Sequence, residues 1–175
     1  MLFRSIACQW AKYLGATVIG TVGSEAKAEL ARANGCAHVI RYDREDVVAR
    51  VREITGGKGV PVVYDSVGQA TFEASLDCLA PLGMLVSFGQ SSGKIPPVDL
   101  GILSQKGSLY VTRPTLMTYT AARADLVNAA SELFEVVLGG AVKIQINQRF
   151  PLRDAAEAHR SLEGRRTTGS TLLLP

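Results

Sequence analysis

Five short apolar runs, separated by helical patterns or loops, constrain the fold of this chain more than any other feature. Several are apolar on both faces, which is typical of parallel strands covered by helices on each side. The segments between them are amphipathic, and several end at a glycine suited to a helix C-terminus. The predicted strands are 16–22, 37–40, 60–65, 83–88 and 108–111, and the predicted helices are 6–14, 24–34, 46–55, 71–82 and 123–138.

Strands that alternate with helices predict right-handed βαβ units and hence an α/β fold with a Rossmann-type doubly wound parallel sheet. The pattern changes after Gly140, so we divide the chain into a Rossmann domain over 1–140 and a C-terminal segment over 141–175. Within that segment we predict a strand over Val142–Ile146, a helix over Leu152–Leu162 and a final strand over Ser170–Leu174.

The chain begins with a predicted helix, whereas a doubly wound sheet begins with a central strand and a glycine-rich turn. Met1–Ser5 is too short and too polar at its end to supply that strand. We therefore expect a sheet that lacks its first strand, with a gap between the strands that would flank it. Residues 1–5 also look like the translation of a sequencing adapter, so we treat them as non-native and leave them out of the fold prediction.

The charged, metal-ligating and apolar residues of the chain argue against nucleic-acid binding, a metal site and a membrane span. The net charge of +3 comes from scattered basic residues, which argues against nucleic-acid binding. The two histidines and three cysteines show no metal-ligand spacing, so we predict no metal site, a reducing cytoplasmic location, and core positions for Cys8, Cys36 and Cys78. No apolar stretch approaches the roughly 18 residues of a membrane span.

The first predicted strand ends at Gly23-Ser24, with no acidic side chain before Glu25. NAD-specific Rossmann domains place Asp or Glu here, which accepts a hydrogen bond from the ribose. Lys27 lies in the first helical turn, where a cation opposes the helix dipole by about 0.3–1 kcal/mol unless an anion binds nearby. A bound phosphate would reverse that effect. On these residues alone, a phosphate bound at Lys27 and a solvated Lys27 balanced by Glu25 and Glu29 are equal alternatives.

Two turns follow predicted strands at the sheet edge where doubly wound folds bind ligands, namely Asp65–Gly68 and Phe88–Gly93. The second turn also matches the G-x-S-x-G pattern of a hydrolase nucleophile elbow, with Ser91 as the nucleophile. Asp125 or Asp154 and then His159 follow in the required order. However, the elbow needs a helix immediately afterwards, and the Ile95-Pro-Pro-Val98 stretch disfavours one.

Six segments distributed from about residue 5 to the C-terminus carry a family resemblance. They are Ser5–Lys12, Val62–Gly68, Leu76–Leu79, Leu85–Gly89, Gly101–Tyr110 and Arg113–Leu116. Together they closely resemble the quinone oxidoreductases, the zeta-crystallin-like, zinc-independent branch of the medium-chain dehydrogenase/reductase superfamily.

The resemblance implies a two-domain enzyme that transfers hydride from NADPH to a quinone or another electron-poor acceptor. A GroES-like catalytic domain precedes the Rossmann domain in that family, and the C-terminal tail, here 141–175, returns to it. Because this chain lacks the catalytic domain and the glycine-rich turn, we expect it to be inactive as given. A non-catalytic NADPH-binding or structural protein is the alternative.

The resemblance also implies roles for individual residues, although it assigns no catalytic residue. Tyr42 would lie against the adenosine 2′-phosphate of NADP(H), where Gly23, Ser24 and Lys27 also lie. Ser66 would lie beside the cofactor, and Phe88, Gly89 and Ser91 would line its nicotinamide half. Arg165, with Arg166 as a near-equal candidate, would reach the cofactor phosphates, and the strand near Ser108–Val111 would pair two subunits into a homodimer. Without the resemblance, Tyr42 is better explained as part of a surface turn, and Arg165 is at least equally well explained as a solvated cation at a helix end.

Overall fold

The computed structural model describes residues 2–164 and 166–175 of the protein, with side chains from Ser5 onward. Helices and strands alternate along the chain, as predicted. In chain order the elements are α1 Leu2–Tyr13, β1 Ile19–Val22, α2 Glu25–Ala33, β2 His38–Arg41, α3 Val47–Ile54, β3 Val60–Asp65, α4 Phe72–Asp77, β4 Leu79–Ser87, α5 Gly101–Gln105, β5 Tyr110–Thr112, α6 Leu116–Tyr119, α7 Arg123–Leu138, β6 Ile146–Pro151, a 3₁₀ turn Leu152–Asp154, α8 Ala155–Glu163 and β7 Ser170–Leu174.

The chain divides into two compact units. The first contains the chain up to Gly20 together with Ala26–Val39 and Ala130–Pro175, and the second contains Thr21–Glu25 and Ile40–Ala129. The first unit holds a two-stranded parallel sheet in which Phe150 of β6 pairs with Leu173 of β7. Its buried residues include Ala28, Cys36, Val142 and Ala158. The predicted domain boundary at Gly140 stays a prediction.

The second unit is built on a three-stranded parallel sheet in the order β3-β4-β5. One cluster of buried side chains holds it together, formed by Phe72, Leu76, Leu79, Leu85 and Leu109. The cluster combines residues of α4 with residues of β4, so the helix buries its apolar face against its own sheet. The carboxyl ends of β3 and β4, where ligands bind in folds of this kind, are therefore held on a packed core.

Strands β1 and β2 pair with each other and form a separate two-stranded sheet. In the part of the chain that the structure describes, no strand pairing joins β1 to β3. A doubly wound sheet that lacks its central first strand has its gap at this position. The α/β fold with parallel sheets is confirmed.

The helix predicted over 71–82 is too long. Helix α4 ends at Asp77, and β4 begins two residues later, at Leu79. The Val60 N–H donates to the Cys78 carbonyl at 2.9 Å, which starts the pairing of β3 with β4. Because Pro81 has no N–H to donate, a helix through it is also unfavourable. Tertiary pairing therefore overrides a helical spacing.

The strand predicted over Val142–Ile146 is also misplaced. The strand β6 begins where that prediction ended and covers Ile146–Pro151. Val142 instead belongs to the connection after α7, where its N–H donates to the Val136 carbonyl at 3.0 Å and its side chain is almost fully buried. One buried apolar residue in a connection was thus mistaken for part of an alternating strand pattern.

Candidate functional site

The turns after β1 and β2 bring two predicted site residues together. The Tyr42 N–H donates to the Val22 carbonyl at 3.1 Å, which holds the end of β2 against the end of β1. A β-carbon on Gly23 would lie 2.7 Å from Tyr42 Cζ, so the ring occupies space that only a glycine leaves open. More than half of the Tyr42 surface, 55%, remains exposed.

Arg41 lies next to this pair and is held by two carboxylates. Its guanidinium is 2.9 Å from Glu25 and 2.7 Å from Asp43. The hydrogen bond with Arg41 lowers the pKa of Asp43 to about 2 and raises the pKa of Arg41. Asp43 is therefore ionised, and the carboxylates of Asp43 and Glu25 both lie within ion-pair distance of Arg41. Arg44, whose Nε is 3.9 Å from Asp43, supplies a second positive charge, so the formal charges of the four side chains cancel.

Ser24 directly precedes α2, and Lys27 is the third residue of that helix, in its first turn as predicted. Ser24 belongs to the second unit with Gly23 and Tyr42, whereas Lys27 belongs to the first. Arg165 lies outside the described residues. The alternative, Arg166, has its guanidinium 3.5 Å from Glu157 of α8.

The turns after β3 and β4 bring four further predicted residues together. The Ser91 N–H donates to the Ser66 carbonyl at 3.3 Å, and the Phe88 N–H donates to the Asp65 carbonyl at 2.8 Å. A β-carbon on Gly89 would lie 2.7 Å from Ser66 Cα, so the two backbones touch. The predicted residues of the second unit therefore form two groups, Gly23-Ser24 with Tyr42 and Ser66 with Phe88, Gly89 and Ser91.

Asp65 shapes the first of these turns, although the sequence analysis assigned it no role. Its Oδ1 accepts from the N–H groups of Val67, at 2.6 Å, and Gly68, at 3.1 Å, while its Oδ2 accepts from the hydroxyls of Thr71, at 2.6 Å, and Ser75, at 2.7 Å. Burial opposes ionisation of this carboxyl, but the four hydrogen bonds outweigh burial and lower its pKa. Asp65 is thus a buried anion that fixes the Ser66 turn.

Arg113 fixes the second turn, and the sequence analysis also missed this role. Its Nη1 donates to the Ser87 carbonyl at 3.0 Å and to the Gly89 carbonyl at 2.8 Å. These contacts hold the backbone where β4 ends and the Phe88–Gly93 loop begins. An arginine directly after a predicted edge strand gives no sequence signal that it will cross to the neighbouring strand.

The Ser91 region does not have the structure of a nucleophile elbow. Ser91 and Ser92 form a turn, the following residues to Val98 have no regular secondary structure, and the next helix begins only at Gly101. An elbow presents its serine between a strand and an immediate helix. The hydrolase alternative is therefore not favoured.

Among the described residues, no group of three or more His, Cys, Asp or Glu side chains is arranged to hold a metal ion. Within the same residues, no helix has the length and apolar character needed to cross a membrane.

A family model described as zinc-binding dehydrogenase matches residues 5–137 of the chain. The quinone oxidoreductase of Pseudomonas aeruginosa is 59% identical over 169 residues, which is 97% of this chain and 52% of that protein. The 2-haloacrylate reductase of a Burkholderia species is 49% identical over 174 residues, 97% of this chain and 51% of that protein. The chain thus spans about half the length of the curated relatives it matches.

Solved structures show the same similarity in three dimensions. The crystal structure of Escherichia coli quinone oxidoreductase complexed with NADPH matches with a TM-score of 0.92 and 55% identity, over 98% of this chain and 53% of that one. The similarity covers both the strand–helix alternation and the C-terminal elements, because nearly the whole chain is included.

Proposed function

The chain belongs to the zinc-binding dehydrogenase family, and we propose that it is the cofactor-binding part of an NADPH-dependent quinone oxidoreductase. The observation that carries this proposal is the match over 98% of the chain to a quinone oxidoreductase structure complexed with NADPH. The proposed reaction is hydride transfer from NADPH to a quinone or another electron-poor acceptor. The similarity to a 2-haloacrylate reductase supports the broader acceptor class.

The residues at the end of β1 fit an adenosine 2′-phosphate. Gly23 and Ser24 are uncharged, and the first acid, Glu25, has its carboxylate compensated by Arg41 at 2.9 Å. Arg44 in turn lies 3.9 Å from Asp43, so the formal charges of Glu25, Asp43, Arg41 and Arg44 cancel and add no net repulsion to a phosphate dianion. We assign its binding to the Ser24 hydroxyl and the exposed Tyr42 ring. Lys27, in the first turn of α2, is assigned to the same phosphate by family resemblance.

We assign the nicotinamide side to the other group. Ser66, Gly89 and Ser91 are held together by backbone contacts at the ends of β3 and β4. Gly89 carries no side chain where its backbone meets Ser66, and we place the cofactor ring beside Phe88. Arg165 is assigned to the cofactor phosphates by family resemblance.

When bound, NADPH supplies the hydride, and the protein supplies orientation and electrostatics. Within that division, Asp65 and Arg113 are positioning residues. Asp65 holds the Ser66 turn through the N–H groups of Val67 and Gly68 and joins that turn to the start of α4 through the hydroxyls of Thr71 and Ser75. Arg113 holds the loop that starts at Phe88. Their packing keeps the cofactor-facing backbone in one conformation before a ligand arrives.

Several further properties complete the proposal. We propose a zinc-independent, cytoplasmic enzyme that does not bind nucleic acid and that forms a homodimer through the edge of β5, which pairs with no second strand among the described residues. Residues 141–175 would contribute to a GroES-like catalytic domain of the longer enzyme, and residues 1–140 would form the Rossmann domain.

The exposure of β5 supports the proposed homodimer. Strand β5 pairs with β4 on one side, and Tyr110 and Val111 remain 56% and 42% exposed. An exposed apolar edge of this kind favours pairing with a second chain.

Two measurements test the function. First, the affinities of the 175-residue chain for NADPH and NADH are compared by titration calorimetry, and we expect NADPH to bind at least tenfold more tightly. Equal affinities would contradict the NADPH assignment.

Second, a chimera joins the N-terminal half of the Escherichia coli enzyme to residues 6–175, and NADPH oxidation is followed with a benzoquinone and with a 2-haloacrylate. A folded chimera that binds NADPH but oxidises none would favour the non-catalytic alternative.

A further inference from the structure

Cys8 and Cys36 lie side by side in the first unit, and we propose that they form a redox site in which a peroxide converts the two thiols into an intramolecular disulfide. Cys8 is in the middle of α1, and Cys36 is in the turn between α2 and β2. The Cys36 thiol donates to the Cys8 sulfur with the two sulfurs 3.4 Å apart. Both thiols are reduced in the structure.

The backbone around the two cysteines is already in contact. A β-carbon on Gly35, which has a positive φ of +101°, would lie 3.3 Å from the Cys8 carbonyl oxygen and 3.0 Å from Lys12 Cδ. A β-carbon on Gly20 would lie 2.7 Å from Cys36 Sγ, so a side chain at position 20 would clash with the sulfur in its position beside α1. A disulfide between Cys8 and Cys36 would therefore join α1 to the turn before β2, two segments whose backbones are already in contact.

The two thiols differ in access, which suits them to different steps. Cys8 is only partly buried, contrary to the core position predicted for it, whereas Cys36 is 6% exposed. A dissolved oxidant reaches Cys8 first. The pKa of Cys36 is raised, mainly by the hydrogen bond to Cys8 and to a smaller extent by burial. This thiol therefore stays protonated until the second step.

The proposed chemistry balances with one peroxide. The Cys8 sulfur attacks a peroxide oxygen, the O–O bond breaks, and a sulfenic acid and one water form. The Cys36 sulfur then attacks the sulfenic sulfur, the S–O bond breaks, and the Cys36 proton leaves with the hydroxyl as a second water. Two thiols are oxidised by two electrons in total, and the peroxide is reduced by the same two.

The third cysteine provides an internal control. Cys78 lies in the second unit, next to the core cluster, and is 4% exposed. Burial raises the pKa of its thiol to about 11. Since the thiolate is the reactive form, Cys78 should react with peroxide much more slowly than Cys8.

The test uses the full 175-residue chain. It is treated with one equivalent of hydrogen peroxide, denatured and labelled with N-ethylmaleimide, and its mass and peptides are analysed. We expect one labelled cysteine, Cys78, where the untreated chain has three, together with a peptide pair joined through Cys8 and Cys36 and a loss of about 2 Da. Dithiothreitol should restore all three labels. Trp10, two residues from Cys8, should report the change by its fluorescence.

Two variants complete the test. When peroxide is raised to several equivalents, a second peroxide should over-oxidise Cys8 to sulfinic acid in Cys36→Ser, whereas Cys78→Ser should form the disulfide as the wild type does. Cys36→Ala replaces Cys36→Ser if the hydroxyl destabilises the turn. Three labels after peroxide treatment, a bond that includes Cys78, or equal over-oxidation of Cys8 with and without Cys36 would each overturn the proposal.

Discussion

The Tyr42 ring occupies the space into which a side chain on Gly23 would project, with Tyr42 Cζ 2.7 Å from the position of that β-carbon. The residue that follows β1 and the residue that follows β2 therefore share one packed space. This relationship predicts a coupled effect of substitutions at the two positions.

Gly23→Ala should force the Tyr42 ring away and destabilise the fold by about 1–3 kcal/mol, the usual cost of overpacking. Urea unfolding of Gly23→Ala, Tyr42→Ala and the double variant forms a double-mutant cycle. We expect the double variant to lose less unfolding free energy than the sum of the losses in the two single variants. Strict additivity would mean that the methyl group does not meet the ring.

Lys27→Ala should weaken NADPH binding about tenfold or more, because a charge-assisted hydrogen bond contributes about 1.5–3 kcal/mol, while NADH binding should change little. The matched control is Lys58→Ala, which removes an exposed lysine from the turn after α3. Calorimetric titration with both nucleotides measures the ratio. Equal losses for NADPH and NADH would exclude a 2′-phosphate role for Lys27.

Asp65→Asn should lower the free energy of unfolding at pH 7 by about 1.5–3 kcal/mol, because the amide replaces a charged acceptor of four hydrogen bonds. The pKa of Asp65 is lowered in the folded state. The carboxylate therefore contributes its full stability above its ordinary pKa of about 3.9, and that contribution is lost as the pH falls through the folded-state pKa.

Urea unfolding of wild type and Asp65→Asn between pH 7 and pH 2 measures this prediction, and the two stabilities should converge at the acid end. Asp154→Asn is the matched control, since Asp154 is exposed and its side chain makes no capping hydrogen bond to α8. A stability difference that stays constant down to pH 2 would show that the Asp65 charge is not the cause.

Arg113→Ala should release the loop from Phe88 to Gly93 and speed amide hydrogen exchange there about tenfold or more, because two carbonyl contacts are lost. Arg113→Lys should be intermediate, since a single nitrogen makes both carbonyl contacts. Arg123→Ala, an exposed arginine at the start of α7, is the control. Unchanged exchange in Arg113→Ala would remove its positioning role.

Val111→Lys should shift the proposed homodimer to monomer, because like charges would face each other across the paired β5 edges. Sedimentation velocity measures the change. Leu138→Lys is the control, since it places the same charge at an apolar residue that is 87% exposed at the end of α7. A wild-type chain that sediments as a monomer, or a Val111→Lys variant that remains dimeric, would contradict pairing through β5.

Local patterns were sufficient where an element is long or bounded by clear signals. Helix α7 was predicted with its correct limits, Arg123–Leu138, and β3 and β7 were also predicted with theirs. Helices α5 and α6, with five and four residues, are too short to show a helical period and were not predicted. Strand β4 was predicted to begin at Gly83 instead of Leu79, because its first residues depend on pairing with β3.

Sequence patterns alone establish the strand–helix alternation, the α/β class, the family and the turns in which candidate cofactor residues lie, because each of these depends on neighbouring residues along the chain. Which side chains meet depends on the tertiary structure. It placed Tyr42 over Gly23, compensated Glu25 with Arg41, used Asp65 and Arg113 to hold two turns, and set Cys36 beside Cys8. Except for the hydrogen bonds from Val67 and Gly68 to Asp65, these contacts join residues that are distant along the chain, so periodicity and spacing carry no information about them.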